Sequence, residues 1–313
     1  KLLPVTQRTL QDLARFGSAA EALAEARQRR DIRLTMPRIA ASTKGRRIVL
    51  PHELPYAEIA RLDPDGRGDV SCELLPGRAV RLSPRIIRVT APNPGPMTGP
   101  GTNSYLVGEG AAWTAIDPGP ESEPHLQALL AAAGDAGGRI ERILVTHTHR
   151  DHSPGAVALA AATGAPVWGR IAEHPQWQDL SFAPDCVAQH GERLPLGPQT
   201  TLRVVHTPGH ASNHLCYLLE EERTLFTGDH VMQGSTVVIN PPDGDMAAYL
   251  QALHALLEED LQWLAPGHGF LVAEPPAVLR ALIAHRLKRE AKVTAALRQA
   301  GPASLDTLLP RVY

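Results

Sequence analysis

Cysteine is nearly absent. The chain has three in 313 residues, Cys72, Cys186 and Cys216, odd in number and without CxxC spacing. Such usage excludes a disulfide framework and fits a reducing, cytoplasmic setting. Long apolar runs are missing as well: none approaches the ~18–20 residues that a bilayer span requires, so no membrane association is expected. The opening "KLLPVTQRTLQDLARFG" lacks the apolar stretch of a secretory signal. Charge of one sign is absent too. A net charge of −2 gives no bulk attraction to nucleic acid or an anionic membrane, and leaves only a local basic patch as a route to a polyanion.

What the chain does have is histidine, 14 of them, and they cluster. Hydrophobic residues at 43% and charged residues at 20% fit a globular protein, long enough for one large domain or two ordinary ones. Residues 6–30 place Leu10, Leu13, Phe16, Leu23 and Ala24 at helical spacing and predict one or two short amphipathic helices. Residues 31–80 mix Pro, Gly and charge, as in "LDPDGRGD", and read as turns with short strands. From about residue 83 short β-branched runs appear: "RIIRVT" (85–90), "NSYLVG" (103–108), "AAWTAID" (111–117) and "RILVT" (142–146). They alternate with helical stretches at 123–133 and 152–164. "TLRVVH" (201–206), "HLCYLL" (214–219) and "RTLFTG" (223–228) then read as antiparallel strands with tight turns, and helices are expected at about 245–257 and 276–299. Strands and helices interleave without a strict βαβ repeat, which favours a mixed α/β sandwich over a doubly wound sheet.

The densest cluster is "VTHTHRDHSPG" (145–155), three histidines and an aspartate in six positions directly after an apolar run. Alternate residues of an extended segment point the same way, so His147 and His149 can share one ion. Asp151 and His152 lie where the chain turns and can face a second. Partners stand downstream in "HTPGHASNH" (206–214), "LFTGDHV" (225–231) and "LAPGHG" (264–269), each a His or Asp beside glycine after an apolar run. Strand ends followed by glycine turns let a scaffold aim side chains into one cleft. His147, His149 and His210 make three imidazoles, a usual set for Zn²⁺ with an open position. Asp151, His152 and His268 make a second set, and Asp229 is a carboxylate able to bridge the two. Two ions ~3.5–4 Å apart can hold one hydroxide between them and clamp the leaving oxygen. Oxygen and imidazole donors without thiolate suit Zn²⁺, and also Mn²⁺ or Fe²⁺. Two divalent ions, zinc foremost, are therefore the expected cofactors, with Asp151 and Asp229 the catalytic acids that hold them and orient the hydroxide. His206, His214 and His230, taken singly, read as ordinary surface or core residues. No convincing Ser or Cys triad is present.

This pattern resembles the hallmark of the metallo-β-lactamase superfamily, HxHxDH followed by a distant His, Asp and His. Within it the chain looks most like the β-lactamase-like-protein-2 group of hydrolases. The matching stretches are "APNPGPMTGPGTNSYLVG" (91–108), "IDPG" (116–119), "VTHTHRDHSPG", "TLRVVHTPGH", "LLEEERTLFTGDHVMQGSTVV" (218–238), "APGHG" and "HRLKRE" (285–290), spread over about residues 84–313. The resemblance implies an α/β fold, a four-layer αβ/βα sandwich with a dinuclear site at one edge of its sheets. It further implies that Asp117 of "IDPG" is a buried acid orienting a metal ligand. The glycine-rich loop "NPGPMTGPGTNSY" (93–105), with Asn103, is a candidate substrate contact. Arg286 and Arg289 of "HRLKRE", spaced i, i+3 on a helix, are two more. One departure is Pro154, where the family reads "DHSGG"; proline fixes φ and should stiffen the loop. His149 stands where flavo-di-iron proteins carry glutamate, and Asp229 where the true zinc β-lactamases carry Cys or Ser. His268 follows Asp229 by only 39 positions, too few for the inserted cap of the large nucleases.

The flanks are expected to be separate. Residues 1–82 should form a small α+β unit that packs on the sandwich and supplies no metal ligand, since His52 in "LPHELP" has no partner motif. "LLPVTQRTLQDLARF…MPRI" resembles the tail of a Nudix-type domain, without the RE-x-x-E-E acids that hold Mg²⁺. Residues 83–273 are the expected sandwich and 274–313 a helical tail, where "SLDTLLPRVY" resembles the opening helix of a winged-helix domain; the full protein is expected to extend past one or both ends. The expected activity is metal-dependent hydrolysis by a bridging hydroxide. A phosphodiesterase or endoribonuclease acting on single-stranded RNA or another anionic substrate leads, and a thioesterase of the glyoxalase II kind is the alternative. A non-catalytic regulatory module is the third reading; an intact ligand set argues against it.

Overall fold

"IIRVT" at Ile86–Thr90 sends alternate side chains to opposite faces of a strand, and every one of them is buried. A strand is buried throughout only when both faces of its sheet are covered, and the fold supplies that cover. The computed structural model describes residues 3–29 and 36–312; Arg30 and Tyr313, the ends of two stretches expected to be helical, lie outside the described residues. The chain divides into two units, Lys1–Glu73 and Leu74–Tyr313.

The smaller unit begins with helices α1 (Pro4–Leu13) and α2 (Ala19–Gln28), the second capped by Ser18, whose hydroxyl accepts from the Glu21 amide. An antiparallel hairpin follows, β1 (Arg38–Ser42) with β2 (Gly45–Val49), then α3 (Tyr56–Leu62). Ala40, Val49, Ile59 and Cys72 form its core.

The larger unit holds two sheets. The first contains β3 (Ala79–Ser83), β4 (Ile86–Thr90), β5 (Asn103–Glu109), β6 (Ala112–Ile116), β7 (Arg139–Leu144), β8 (Val167–Gly169) and β9 (Cys186–Val187), in that order, antiparallel up to β6 and parallel from there on. Helices α4 (Glu123–Asp135) and α5 (Gly155–Thr163) cover its outer face: Ile87, Val89, Leu106 and Ile143 pack with Leu129, Ala133 and Leu159. The second sheet runs β10 (Arg193–Gly197), β11 (Thr200–His206), β12 (Leu215–Leu219), β13 (Thr224–Gly228), β14 (Trp263–Pro266), β15 (Val272–Ala273). Its outer face is covered by α6 (Met246–Leu256) and α7 (Pro275–Ala300): Cys216, Leu218, Leu225 and Leu264 meet Tyr249, Leu253, Leu279 and Ile283. The inner faces meet through Tyr105 against Phe226, ring centroids 5.0 Å apart, and through the Tyr217 hydroxyl donating to the Val145 carbonyl at 2.8 Å. This is the αβ/βα four-layer sandwich. Each large side chain fully buried in it contributes roughly 1.5–3 kcal/mol. A final helix, α8 (Leu305–Val312), follows α7.

Local chemistry sets the element ends. Ser122 caps α4 and Asp245 caps α6, the latter accepting from the Ala248 amide at 2.8 Å. Pro154 sits at the start of α5 with φ −59°, the angle its ring imposes. The sequence pattern did not reveal β10, because Pro195 interrupts "RLPLG"; β10 is an edge strand, where a missing backbone donor is tolerated. Among the described residues no helix is long and apolar enough to cross a membrane.

Candidate metal centre

Four strands end where the ligands begin, and a fifth ends at the acid behind them. Asp117 follows β6, the HxHxDH loop follows β7, His210 follows β11, Asp229 follows β13 and His268 follows β14. β6 and β7 are parallel, as are β13 and β14, and two antiparallel pairings give β11 the direction of β13. The carboxyl ends of these strands therefore deliver their loops to one edge of the sandwich, where backbone not used by the sheet is free to position side chains.

Two groups of donor atoms form there. His147, His149 and His210 make one; Asp151, His152, Asp229 and His268 make the other, with the donor atoms of each group within 4.8 Å of one another. In the first, the Nε2 atoms of His147 and His210 each lie 3.0 Å from His149 Nδ1. In the second, His152 Nε2 is 3.4 Å from Asp151 Oδ2 and 3.3 Å from Asp229 Oδ1, while His268 Nε2 is 3.2 and 3.3 Å from the same two atoms. The other oxygen of Asp229 is 3.7 Å from His210 Nε2, so this carboxylate turns one oxygen toward each group. Neither group includes His52 or Asp63.

The outward ring nitrogens fix how the inward ones are presented. Asp117 accepts three hydrogen bonds: from the Thr146 amide (2.7 Å), the Thr146 hydroxyl (2.8 Å) and His152 Nδ1 (2.8 Å). With its proton given to Asp117, the Thr146 hydroxyl accepts from His147 Nδ1 at 3.0 Å. His210 Nδ1 donates to the Val238 carbonyl at 2.6 Å, and His268 Nδ1 to that of Gly101 at 3.2 Å. Four imidazoles thus commit Nδ1–H to an outer acceptor and turn Nε2 inward, the orientation a metal ligand needs. His149 alone turns Nδ1 to the group.

Electrostatics divides the site. Burial, then the neighbouring rings, pushes His147 far below the ordinary imidazole range, and burial with His210 beside it takes His149 down to about 4, so both are neutral at pH 7. Burial also opposes charge on His152 and His268, but the surrounding carboxylates outweigh it. They hold His152 well above its ordinary value and raise His268 to about 9. The acids respond in kind: burial works against charge on Asp151 and Asp229, yet the facing histidines keep both ionised. The second group therefore demands positive charge. Three of its atoms, His152 Nε2, His268 Nε2 and Asp229 Oδ1, are buried without a hydrogen-bond partner, which native structures rarely allow. Gly267 keeps the space clear: a Cβ there would sit 2.7 Å from His152 Cε1 and 2.9 Å from Asp229 Oδ1. Nitrogen and oxygen donors, unpaired and convergent, fit divalent cations.

A cleft of about 790 Å³ opens over these groups. His149, Asp151, His210 and Asp229 are in its floor, and Met97, Trp177, Met232 and Val238 are in its walls. Of the described residues lining it, Arg150 alone carries a fixed positive charge. Three residues expected at the substrate do not line it. Asn103 is fully buried, and its amide donates to the carbonyls of Pro266 (3.1 Å) and Gly269 (2.8 Å), so it holds the turn that carries His268. Arg286 donates to the Val237 carbonyl and lies over the Tyr249 ring, 5.4 Å from its centroid, behind the wall formed by Val238. Arg289 is exposed on α7.

Other residues matter that no motif singled out. His214, read as ordinary, accepts from the Asp229 amide at 3.2 Å and stacks on His147 at 5.0 Å, fixing both groups from behind. Its spacing in "HASNH" was visible, but nothing in the spacing says which way the ring faces. Thr148, Gln178, Asn213 and Asp243 form a buried hydrogen-bonded chain beneath the cleft. Their types are common and their positions scattered, so sequence carried no signal for them.

A four-layer sandwich with His and Asp donors gathered at one edge defines a class of metal-dependent hydrolases. The metallo-beta-lactamase superfamily model matches residues 97–268, and the chain belongs to that superfamily. It is 33% identical over 228 residues to the atrochrysone carboxyl ACP thioesterase of Aspergillus chevalieri, covering 70% of this chain and 68% of that protein. It is 36% identical over 230 residues to the lactamase-like protein vrtG of Penicillium aethiopicum, covering 73% and 71%. A beta-lactamase domain protein from Burkholderia ambifaria superposes with a TM-score of 0.62 at 22% identity, covering 77% of this chain and 86% of that one, a likeness of fold. The protein is thus a metallo-β-lactamase-fold hydrolase, and the family implies divalent metal ions.

Proposed function

We propose that the protein is a dinuclear metal-dependent thioesterase, with His147, His149 and His210 holding one ion, Asp151, His152 and His268 the other, and Asp229 between them. When bound, the ions supply a water activated for attack at neutral pH and positive charge for the oxygen that becomes anionic. The chain's own residues do the rest. Asp117 and Thr146 orient His147 and His152 from behind. Asp151, whose side chain is 27% exposed, turns a carboxylate toward the cleft, where it orients the attacking water. Thr102 steadies it through a 3.4 Å hydrogen bond. A thiol has a pKa near ~8.5 and leaves as thiolate without a strong acid to protonate it. Apart from the ligands themselves, the lining offers no imidazole or lysine for that task among the described residues, which suits a thioester better than an ester of an ordinary alcohol.

The observation that carries this reading is the cleft wall. Met97, Trp177, Met232 and Val238 make it apolar, and among the described residues a polyanion entering it meets one fixed cation, Arg150. Single-stranded RNA would draw its affinity from phosphate contacts, and Arg286, the best candidate for one, is engaged elsewhere. The Aspergillus chevalieri relative, itself called a thioesterase, supports the same choice. Metal-loaded protein should therefore hydrolyse a glutathione or N-acetylcysteamine thioester at a rate nearly independent of salt. Chelation should abolish turnover, and added Zn²⁺ or Mn²⁺ should restore it. Metal-dependent cleavage of labelled single-stranded RNA, steeply salt-dependent and without thioester turnover, would overturn the proposal.

A further inference from the structure

Trp177 stands at the cleft with 59% of its surface exposed and a backbone φ of 71°. A bulky L-residue in the left-handed region is held against its own preference, and persists there only where neighbours impose it. The neighbour that does so is Gln178, which is buried. Its Oε1 accepts from the Thr148 hydroxyl at 2.6 Å, its Nε2 donates to Asp243 at 3.1 Å, and its backbone pairs with His149. Asp243 is fixed in turn by the amide and hydroxyl of Ser212, at 3.1 and 2.6 Å. The segment is therefore anchored on the residue between two histidine ligands.

That anchoring does nothing for the indole itself. Among the described residues it makes no hydrogen bond, ring contact or cation contact, and it is one of only four tryptophans in the chain. Met97, 67% exposed, and Met232 share the same cleft. Methionine sulfur packs well against aromatic rings, and an exposed indole presents a flat π-face on which another planar ring can lie. We infer that Trp177 is the platform for the acyl group and determines specificity for a flat, aromatic acyl thioester. The inference rests on the thioesterase reading above and extends it to the substrate's acyl half.

The test compares the 2-naphthoyl and acetyl thioesters of N-acetylcysteamine on metal-loaded wild type, Trp177→Gly and Trp177→Phe. Glycine suits the left-handed backbone, so it removes the ring without forcing the loop to move. Trp177→Gly should raise KM for the naphthoyl thioester about three- to tenfold, the range expected for one lost aromatic pair, with kcat within about twofold. The acetyl thioester should lose much less than the naphthoyl thioester, and Trp177→Phe should recover most of the naphthoyl loss. Equal losses on both substrates, or none on the naphthoyl thioester, would overturn the inference. If wild type turns over neither, the thioesterase reading fails, and calorimetry with 2-naphthoate decides on Trp177 alone. Weaker binding to Trp177→Gly then supports the platform, and unchanged binding refutes it.

Discussion

Asp117→Asn changes one atom at the point on which both ligand groups depend. Asp117 has φ 52°, and asparagine tolerates the left-handed region as aspartate does, so the backbone has no reason to move. The carboxylate accepts from the Thr146 amide, the Thr146 hydroxyl and His152 Nδ1. If the asparagine oxygen keeps the amide, its NH₂ falls where Oδ2 was, facing two donors. The Thr146 hydroxyl can rotate and accept from both the new NH₂ and His147 Nδ1, so the first group is disturbed only slightly. His152 has no such freedom: to avoid a donor–donor clash its proton must move to Nε2, the atom that faces Asp151 and Asp229. Loss of an outer partner of this kind typically weakens metal binding 10–100-fold, about 1.4–2.7 kcal/mol. The group containing His152 should sit at the upper end of that range and the group containing His147 at or below the lower end. Two-step competition for Zn²⁺ against a chelating dye resolves the two affinities. Loss under twofold at both groups, or a larger loss at the group containing His147, would show that Asp117 does not set the His152 tautomer.

Metal-free protein should be most stable near pH 6.5. His268, raised to about 9 by the carboxylates despite its burial, contributes stability that is full below 6.5 and lost as pH climbs to about 9, worth about 3 kcal/mol. His149 and His125, lowered to about 4 chiefly by burial, contribute in the opposite sense, their share disappearing as pH falls from 6.5 toward 4. Thermal melts of chelator-stripped protein should trace this dome, and Zn²⁺ should remove its alkaline limb; a flat profile above pH 6.5 would contradict it. Gly267→Ala places a methyl against His152 and Asp229, so elemental analysis should find one ion per chain in place of two, with hydrolysis down at least about a hundredfold. Full metal content in that variant would refute the crowding. Arg286→Ala removes a hydrogen bond to Val237 and a stack on Tyr249, and should lower unfolding free energy by about 1–2 kcal/mol while leaving KM for the thioester unchanged. A KM raised severalfold would return Arg286 to the substrate.

The donor residues were legible because their chemistry is rare and local. Three histidines and an aspartate in six positions, and glycine beside each distant partner, follow from the need to turn sharply at a strand end without filling the site, as Gly267 illustrates. Strands such as "IIRVT" and "HLCYLL" were legible because burial on both faces favours β-branched and apolar residues along most of their length. Orientation was not legible. Asn103 lies in a glycine-rich loop and Arg286 in a basic helical run, and both contexts suggest a surface that binds something. Yet each side chain turns to backbone carbonyls of the chain's own loops, a choice made by tertiary packing over long separations. The chain from Thr148 through Gln178 to Asp243 fell outside any pattern for the same reason.

The carboxyl ends of four strands carry every donor residue, whereas the apolar walls of the cleft belong to the intervening loops around Met97, Trp177, Met232 and Val238. Reactivity and selectivity are thereby inherited separately. A substitution or insertion in one of those loops can alter which substrate fits without touching a strand, its register or a donor atom. Natural selection acting on such a framework can diversify substrates while the hydrolytic chemistry stays constant. Chimeras that exchange whole loops between relatives are accordingly the natural unit for redesigning this protein's substrate range.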